Sequence, residues 1–245
     1  MAGVTTGPHT PPSAIGRLLD EISWEGNARK YRDGGVGKEN VLTTEVFSAL
    51  DFLPRTAFLG AVIGAAVGAD DARAALIDDI EVSGVEVLSG DLRPTLPSGV
   101  PATWTIQPDG LIRSGRSVCF IEAKRLRSAS FQQRQIARTA LAVIDLAKER
   151  TAFALLVLPD EPPVRVAKHG RMPISEALRL GLDDSPWTDD EIERVASEHF
   201  AWITWRKLGE TVHSAADRFA SGDPSIDRAV GRLAQEVQHA LNRHA

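Results

Sequence analysis

Cysteine is almost absent: Cys119 is the only one in 245 residues, so neither an internal disulfide nor a cysteine-built zinc site can form. A reducing cytoplasm is the expected location. Also lacking is an apolar run of membrane-spanning length. The uncharged stretch from Thr56 to Ala69 is fourteen residues long and is broken by Gly60, Gly64 and Gly68, short of the roughly 20 residues needed to cross a bilayer. It reads as a buried helix, and no membrane association is expected. No internal repeat is visible. The first fourteen residues, MAGVTTGPHTPPSA, have neither the basic start nor the apolar run of an address segment, and read as a loose tail.

What is present is ordinary globular composition, 43% hydrophobic and 25% charged, which excludes collagenous, coiled-coil and wholly disordered chains. The chain is long enough to bury a full core. Its charge is uneven. Between Arg113 and Arg138, seven basic residues stand against Glu122 alone, so that stretch carries +6 while the net charge is −5 and the remainder holds −11. A basic island in an acidic protein suits a localised anion-binding surface, because repulsion elsewhere keeps polyanions off the other faces.

Hydrophobic periodicity predicts a first helix from Ile15 to about Trp24, a glycine-rich loop over Glu25 to Gly37, and a second helix over Lys38 to Leu53 with Val41, Leu42, Val46, Ala49, Leu50 and Leu53 as its stripe. Strand chemistry starts at Glu81 and continues through Val100 to Gln107. SVCFIEA (117–123) and AFALLVL (152–158) read as central buried strands, with a helix from Ser130 to Arg150 between them. Strand, helix, strand implies a parallel crossover and hence an α/β core. Val164 to Val166 is expected as a short strand, followed by helices near Ser175 to Leu180 and Thr188 to His199, and strand character at AWITW (201–205). Two closing helices come last, the final one capped by Asp223 with Pro224 first. Its stripe of Ile226, Val230, Leu233, Val237 and Leu241 suits docking on the core or pairing with a second copy as a homodimer. The expected organisation is the tail (1–14) and one α/β domain (15–245), with a core over about 38–158 and a helical elaboration over about 170–245.

Chemistry concentrates on one predicted hairpin. Residues two apart on a strand share a face, so Glu122 and Lys124 point the same way, and a turn at Ser114-Gly115 brings Asp109 back beside them. Two carboxylates and an ammonium then converge at the edge of a sheet. The set suits phosphodiester hydrolysis: Asp109 and Glu122 would hold Mg²⁺ (or Mn²⁺), which prefers oxygen ligands and keeps waters, with the Ala123 carbonyl as a further oxygen. Lys124 would orient or deprotonate the attacking water and balance transition-state charge.

Pro108-Asp109, twelve intervening residues, then Glu122-Ala123-Lys124 and a glutamine-bearing helix resemble the PD-(D/E)XK nuclease superfamily, which includes restriction endonucleases, Holliday-junction resolvases and RecB-type exonucleases. The resemblance covers about half of the chain. It implies a restriction endonuclease-like αβββαβ core, a mixed central sheet flanked by helices, with extra C-terminal helices. It also implies a metal-dependent nuclease acting on DNA, with restriction, repair and defence against foreign DNA as its settings. Similar families carry an acid on the first core helix, here Glu39 or Glu45; helical phase does not choose between them, and Glu39 is preferred because it sits at the helix start beside the loop. The helix glutamine would be Gln135, with Gln132 as the alternative. Arg125, Arg127, Arg134 and Arg138 flank the site and would follow the phosphate backbone.

Plainer readings stand beside these. Pro-Asp-Gly is a turn signature, Glu-x-Lys at a strand end is common solvated charge, and Glu39 suits a helix N-terminus through the dipole. Trp104, Trp202 and Trp205 lie in strand patterns and are expected to pack rather than stack on bases. Gly34-Gly35-Val36-Gly37-Lys38 lacks the spacing of a phosphate loop, which excludes an NTPase. The alternative to an enzyme is a catalytically silent, nucleic-acid-binding subunit of a larger complex with the same fold.

Overall fold

Two strands that are apolar on both faces set the architecture. A computed structural model describes residues 38–124, 130–182 and 187–244, apart from the side chains of 38–40. The expected tail, first helix and glycine loop, Arg125 and Arg127 lie outside the described residues. Strands β3 (Ser117–Ala123) and β4 (Thr151–Leu158) are buried nearly throughout because helices cover both faces of the sheet.

The chain is α/β. A five-stranded mixed sheet has the order β1 (Gly84–Val87), β2 (Gly110–Arg113), β3, β4, β7 (Phe200–Thr204). β1 with β2 and β2 with β3 are antiparallel, whereas β3 with β4 and β4 with β7 are parallel. Alternation along β3 divides its side chains. Cys119, Ile121 and Ala123 face a core shared with α1 (Lys38–Phe52), α2 (Leu59–Ala65), α3 (Asp70–Asp78), α7 (Trp205–Arg218) and α8 (Pro224–His244). Val118 and Phe120 face the second core, with α4 (Gln135–Ala147), α5 (Ile174–Gly181) and α6 (Asp189–His199).

Local signals account for most boundaries. Ser114 closes the β2–β3 turn, its N–H donating to Ser117 O at 2.8 Å and its hydroxyl accepting from the Ser117 N–H at 2.9 Å. α6 opens with a capping box between Thr188 and Glu191. α7 opens with Thr204 Oγ1 accepting from Lys207 N–H at 3.1 Å. At α8, Pro224 comes first and Asp223 accepts from Ser225 N–H at 2.7 Å.

Several expectations need correction. The segment 100–107 is not a strand but an irregular excursion held by single bridges, Leu92 with Ile106 and Thr95 with Pro101. α4 starts at Gln135 rather than Ser130, because Phe131 instead bridges Val166. The C-terminal part is not purely helical. β5 (Val164–Val166) and β6 (Gly170–Met172) form a separate hairpin, and β7 is the fifth strand of the main sheet. Trp205 begins α7 instead of ending a strand, and Trp104 lies in the irregular excursion. The stripe of α8 is consumed within the chain: Val230, Val237 and Leu241 are buried, Leu233 packs against the same core, and only Ile226 is left exposed.

Candidate functional site at the carboxyl end of the central strand

The β2–β3 register pairs Gly110 with Ile121. Asp109 precedes that last pair, and Glu122 follows it on the face of Phe120. The Asp109 carboxylate accepts from the Ala123 N–H at 2.7 Å, so a side chain continues the ladder where backbone pairing ends. Lys124 follows two residues after Glu122, and its N–H still bonds Val157 O at 2.8 Å. The cluster therefore sits at the carboxyl end of the central strand, not along a lateral edge of the sheet, and ligands of open α/β sheets bind outside such strand ends.

Three further elements hold it. Gln135, the first residue of α4, donates through Nε2 to Glu122 Oε2 at 2.9 Å, and its Oε1 accepts from the Gln132 N–H at 3.3 Å. Gln135, not the exposed Gln132 side chain, meets the carboxylate. The Lys124 ammonium lies 4.8 Å from the centroid of the Phe131 ring, a cation–π contact. From α7, the indole N–H of buried Trp205 donates to the Lys124 carbonyl at 2.7 Å. Glu122 is 2% exposed and Lys124 7%. Charged groups are rarely buried so deeply without partners.

Other described candidates lie elsewhere. The Glu39 side chain is outside the described residues. Glu45 pairs with Arg243 at 2.6 Å and His244 at 3.3 Å at the end of α8, on the opposite side of the sheet from Glu122. The basic island is split. Arg113 and Arg116 are at the β2–β3 turn, at the other end of β3 from Glu122, and Arg116 clamps Asp79, with Nε to Oδ2 at 3.0 Å. Arg134 is exposed just before α4, and Arg138 rests over the Trp104 ring at 5.1 Å. Cys119 is fully buried, and burial pushes its thiol well above the ordinary range, which removes it as a nucleophile.

One acid escaped the sequence reading. Glu86, in register with Leu111, shares the sheet face of Asp109 and Glu122. The signal was the alternation Val85-Glu86-Val87, which turns the acid away from the valine side. Among the described residues no three His, Cys, Asp or Glu side chains form a metal-holding group. An ion here would rest on Asp109 and Glu122 with carbonyl or water oxygens, a hard donor set that suits Mg²⁺ because this ion retains several waters. No helix among the described residues is long and apolar enough to cross a membrane. No protein-family model, curated protein or solved structure matches the chain.

Proposed function

We propose that the chain is a metal-dependent nuclease of the PD-(D/E)XK type that hydrolyses phosphodiester bonds of DNA. The observation that carries this reading is the Asp109 carboxylate bonded to the Ala123 N–H, the residue after Glu122, with Gln135 bonded to the Glu122 carboxylate and Lys124 two residues beyond. The order of elements supports it: helix α1, antiparallel strands β1 to β3, helix α4, then parallel strand β4 resemble the αβββαβ core of that superfamily, with α2 and α3 inserted after α1.

Asp109 and Glu122 would hold Mg²⁺ or Mn²⁺, and the bound ion would supply Lewis acidity toward a phosphoryl oxygen and toward water. The residues of the chain do the rest. Gln135 fixes the rotamer of Glu122, and the Ala123 N–H fixes that of Asp109. Lys124 holds the attacking water and offsets charge on the phosphoryl oxygens. Trp205 anchors the Lys124 backbone, and Phe131 carries its ammonium.

A second reading, a nucleic-acid-binding subunit that does not turn over, draws on the burial of Glu122 and Lys124. Incubating the full chain with plasmid and linear DNA separates the two. Cleavage with Mg²⁺ or Mn²⁺, but not with EDTA or Ca²⁺, is expected, and Lys124→Ala should abolish it while metal binding persists. DNA binding without any cleavage would favour the second reading. A Lys124→Ala protein that cuts at the wild-type rate would assign the activity to another site.

A further inference from the structure

The hairpin β5–β6 carries a charge arrangement that the protein's own packing does not require. Its inner positions, Val164, Val166 and Met172, are buried, and its outer ones, Arg165 and Arg171, are exposed. The register places Arg165 directly opposite Arg171. Like charges so placed destabilise a two-stranded ribbon. The turn adds Lys168 and His169, both exposed, and Lys168 adopts φ 69°. From Val164 to Met172 the ribbon carries three formal positive charges and no acid.

Arg171 is partly spent on its own root, donating to the Pro163 and Glu161 carbonyls at 3.0 Å and lying 3.8 Å from Asp160. Arg165 and Lys168 have no ion-pair or side-chain hydrogen-bond partner among the described residues. Position completes the case. β3 and β4 run parallel with Ala123 beside Val157, so β4 leaves the sheet next to Lys124 and after five intervening residues enters β5. Phe131, whose ring lies under the Lys124 ammonium, is stitched to β5 by its N–H to Arg165 O and its carbonyl to Ala167 N–H, both at 2.9 Å.

We infer that the β5–β6 ribbon is a grip for the phosphate backbone of DNA, with Arg165 and Lys168 as its contacts, and that it delivers the strand to the Asp109–Glu122–Lys124 cluster. The inference rests on the nuclease reading. A two-stranded ribbon has the cross-section that a DNA groove admits, and a bound polyanion relieves the Arg165–Arg171 repulsion. Contacts of this kind position the duplex without reading sequence.

The test uses the full chain carrying Glu122→Gln, so that binding is measured without cleavage, and fluorescence anisotropy with a labelled DNA duplex and an RNA duplex of equal length across a salt series. Arg165→Gln with Lys168→Asn is the perturbation, asparagine being chosen because it tolerates positive φ. Arg228→Gln with Arg232→Gln, on exposed positions of α8 at the other side of the sheet, removes the same charge. The ribbon variant should bind DNA about tenfold or more weakly, with log K against log salt shallower by roughly two units, and the α8 variant should stay near wild type. Equal losses in both variants, no loss in the ribbon variant, or a loss confined to RNA would overturn the grip. A DNA-cleaving wild-type chain would show in each case that the nuclease reading survives. A wild-type chain that neither binds nor cuts DNA would instead remove that reading, and the grip with it.

Discussion

Gln135→Ala isolates the contact that ties α4 to the proposed metal site. The substitution deletes the Nε2 donor 2.9 Å from Glu122 Oε2 and leaves a carboxylate of 2% exposure with one donor fewer. A hydrogen bond to a charged group contributes roughly 1.5–3 kcal/mol. Alanine returns a few tenths through helix propensity, so the net loss is about 1–2.5 kcal/mol. For a chain of this length that corresponds to a fall in Tm of roughly 2–10 °C. Residues that orient a metal ligand typically account for 10- to 100-fold in metal affinity, so Mn²⁺ binding should weaken by about that factor. Urea unfolding and titration calorimetry with Mn²⁺ read the two effects separately. Gln132→Ala is the control, since its side chain is exposed and changes of this kind stay within about ±0.5 kcal/mol. If Gln135→Ala matched Gln132→Ala in both measurements, the bond to Glu122 would neither stabilise the fold nor orient the carboxylate.

Three other outcomes follow from the same geometry. Trp205→Phe keeps an aromatic ring but removes the indole N–H and part of the buried volume, and strands the Lys124 carbonyl, now bonded at 2.7 Å; a loss of roughly 1–3 kcal/mol is expected in urea unfolding, and on the proposed reading cleavage falls because the end of β3 loosens. Gly181→Ala would set a Cβ 2.6 Å from Ala137 Cβ and 3.0 Å from Gln133 O, so α5 must shift from the start of α4 at a cost of about 1–3 kcal/mol, visible as a lower Tm. Asp79 is held below its ordinary carboxyl range first by the Arg116 hydrogen bond, which outweighs the opposing effect of burial, with the Ser114 hydrogen bond adding to the lowering. Its folded-state value is lowered, so its contribution is fully present above the unfolded value near 3.8 and is lost as pH falls through the folded one. Asp79→Asn should therefore flatten the acid limb of a stability–pH profile and leave its neutral part lower.

The hairpin bearing Asp109 and Glu122 was legible because its register is local. A turn at Ser114-Gly115 fixes every pair by counting outward from Arg113–Val118 to Gly110–Ile121, and Asp109 and Glu122 are the residues that adjoin the last pair. The buried strands β3 and β4 were legible from continuous apolar runs, and α8 from its stripe and cap. What could not be read depends on contacts distant in sequence. Phe131 has helical periodicity with Ile136 and beyond, yet its bridge to Val166 outweighs that propensity and delays α4 to Gln135. The arginines from 113 to 138 are contiguous in sequence, but the hairpin fold sends Arg116 to one end of β3 and Arg134 toward the other. The β5–β6 ribbon was half visible: Val164 to Val166 reads as a strand, whereas Gly170-Arg171-Met172 has no apolar alternation to announce it.

The burial of Glu122 and Lys124 bears on whether this strand end is built for packing or for chemistry. Closing the end of a central strand needs only apolar side chains, and replacing buried charged pairs by apolar residues of similar volume is often neutral or stabilising by 1–4 kcal/mol. The chain instead keeps a carboxylate and an ammonium two residues apart and surrounds them with Gln135 from α4, Phe131 before it and Trp205 from α7. Each of these restrains a charged side chain or the backbone that carries it. Such preorganisation costs stability, and it is useful where charge develops on a bound group and the protein must not reorganise to meet it. A glutamine aimed at a buried carboxylate satisfies hydrogen bonding that burial would otherwise leave unmet, and on the proposed nuclease reading the same bond would hold that carboxylate in one orientation for an ion and a phosphate.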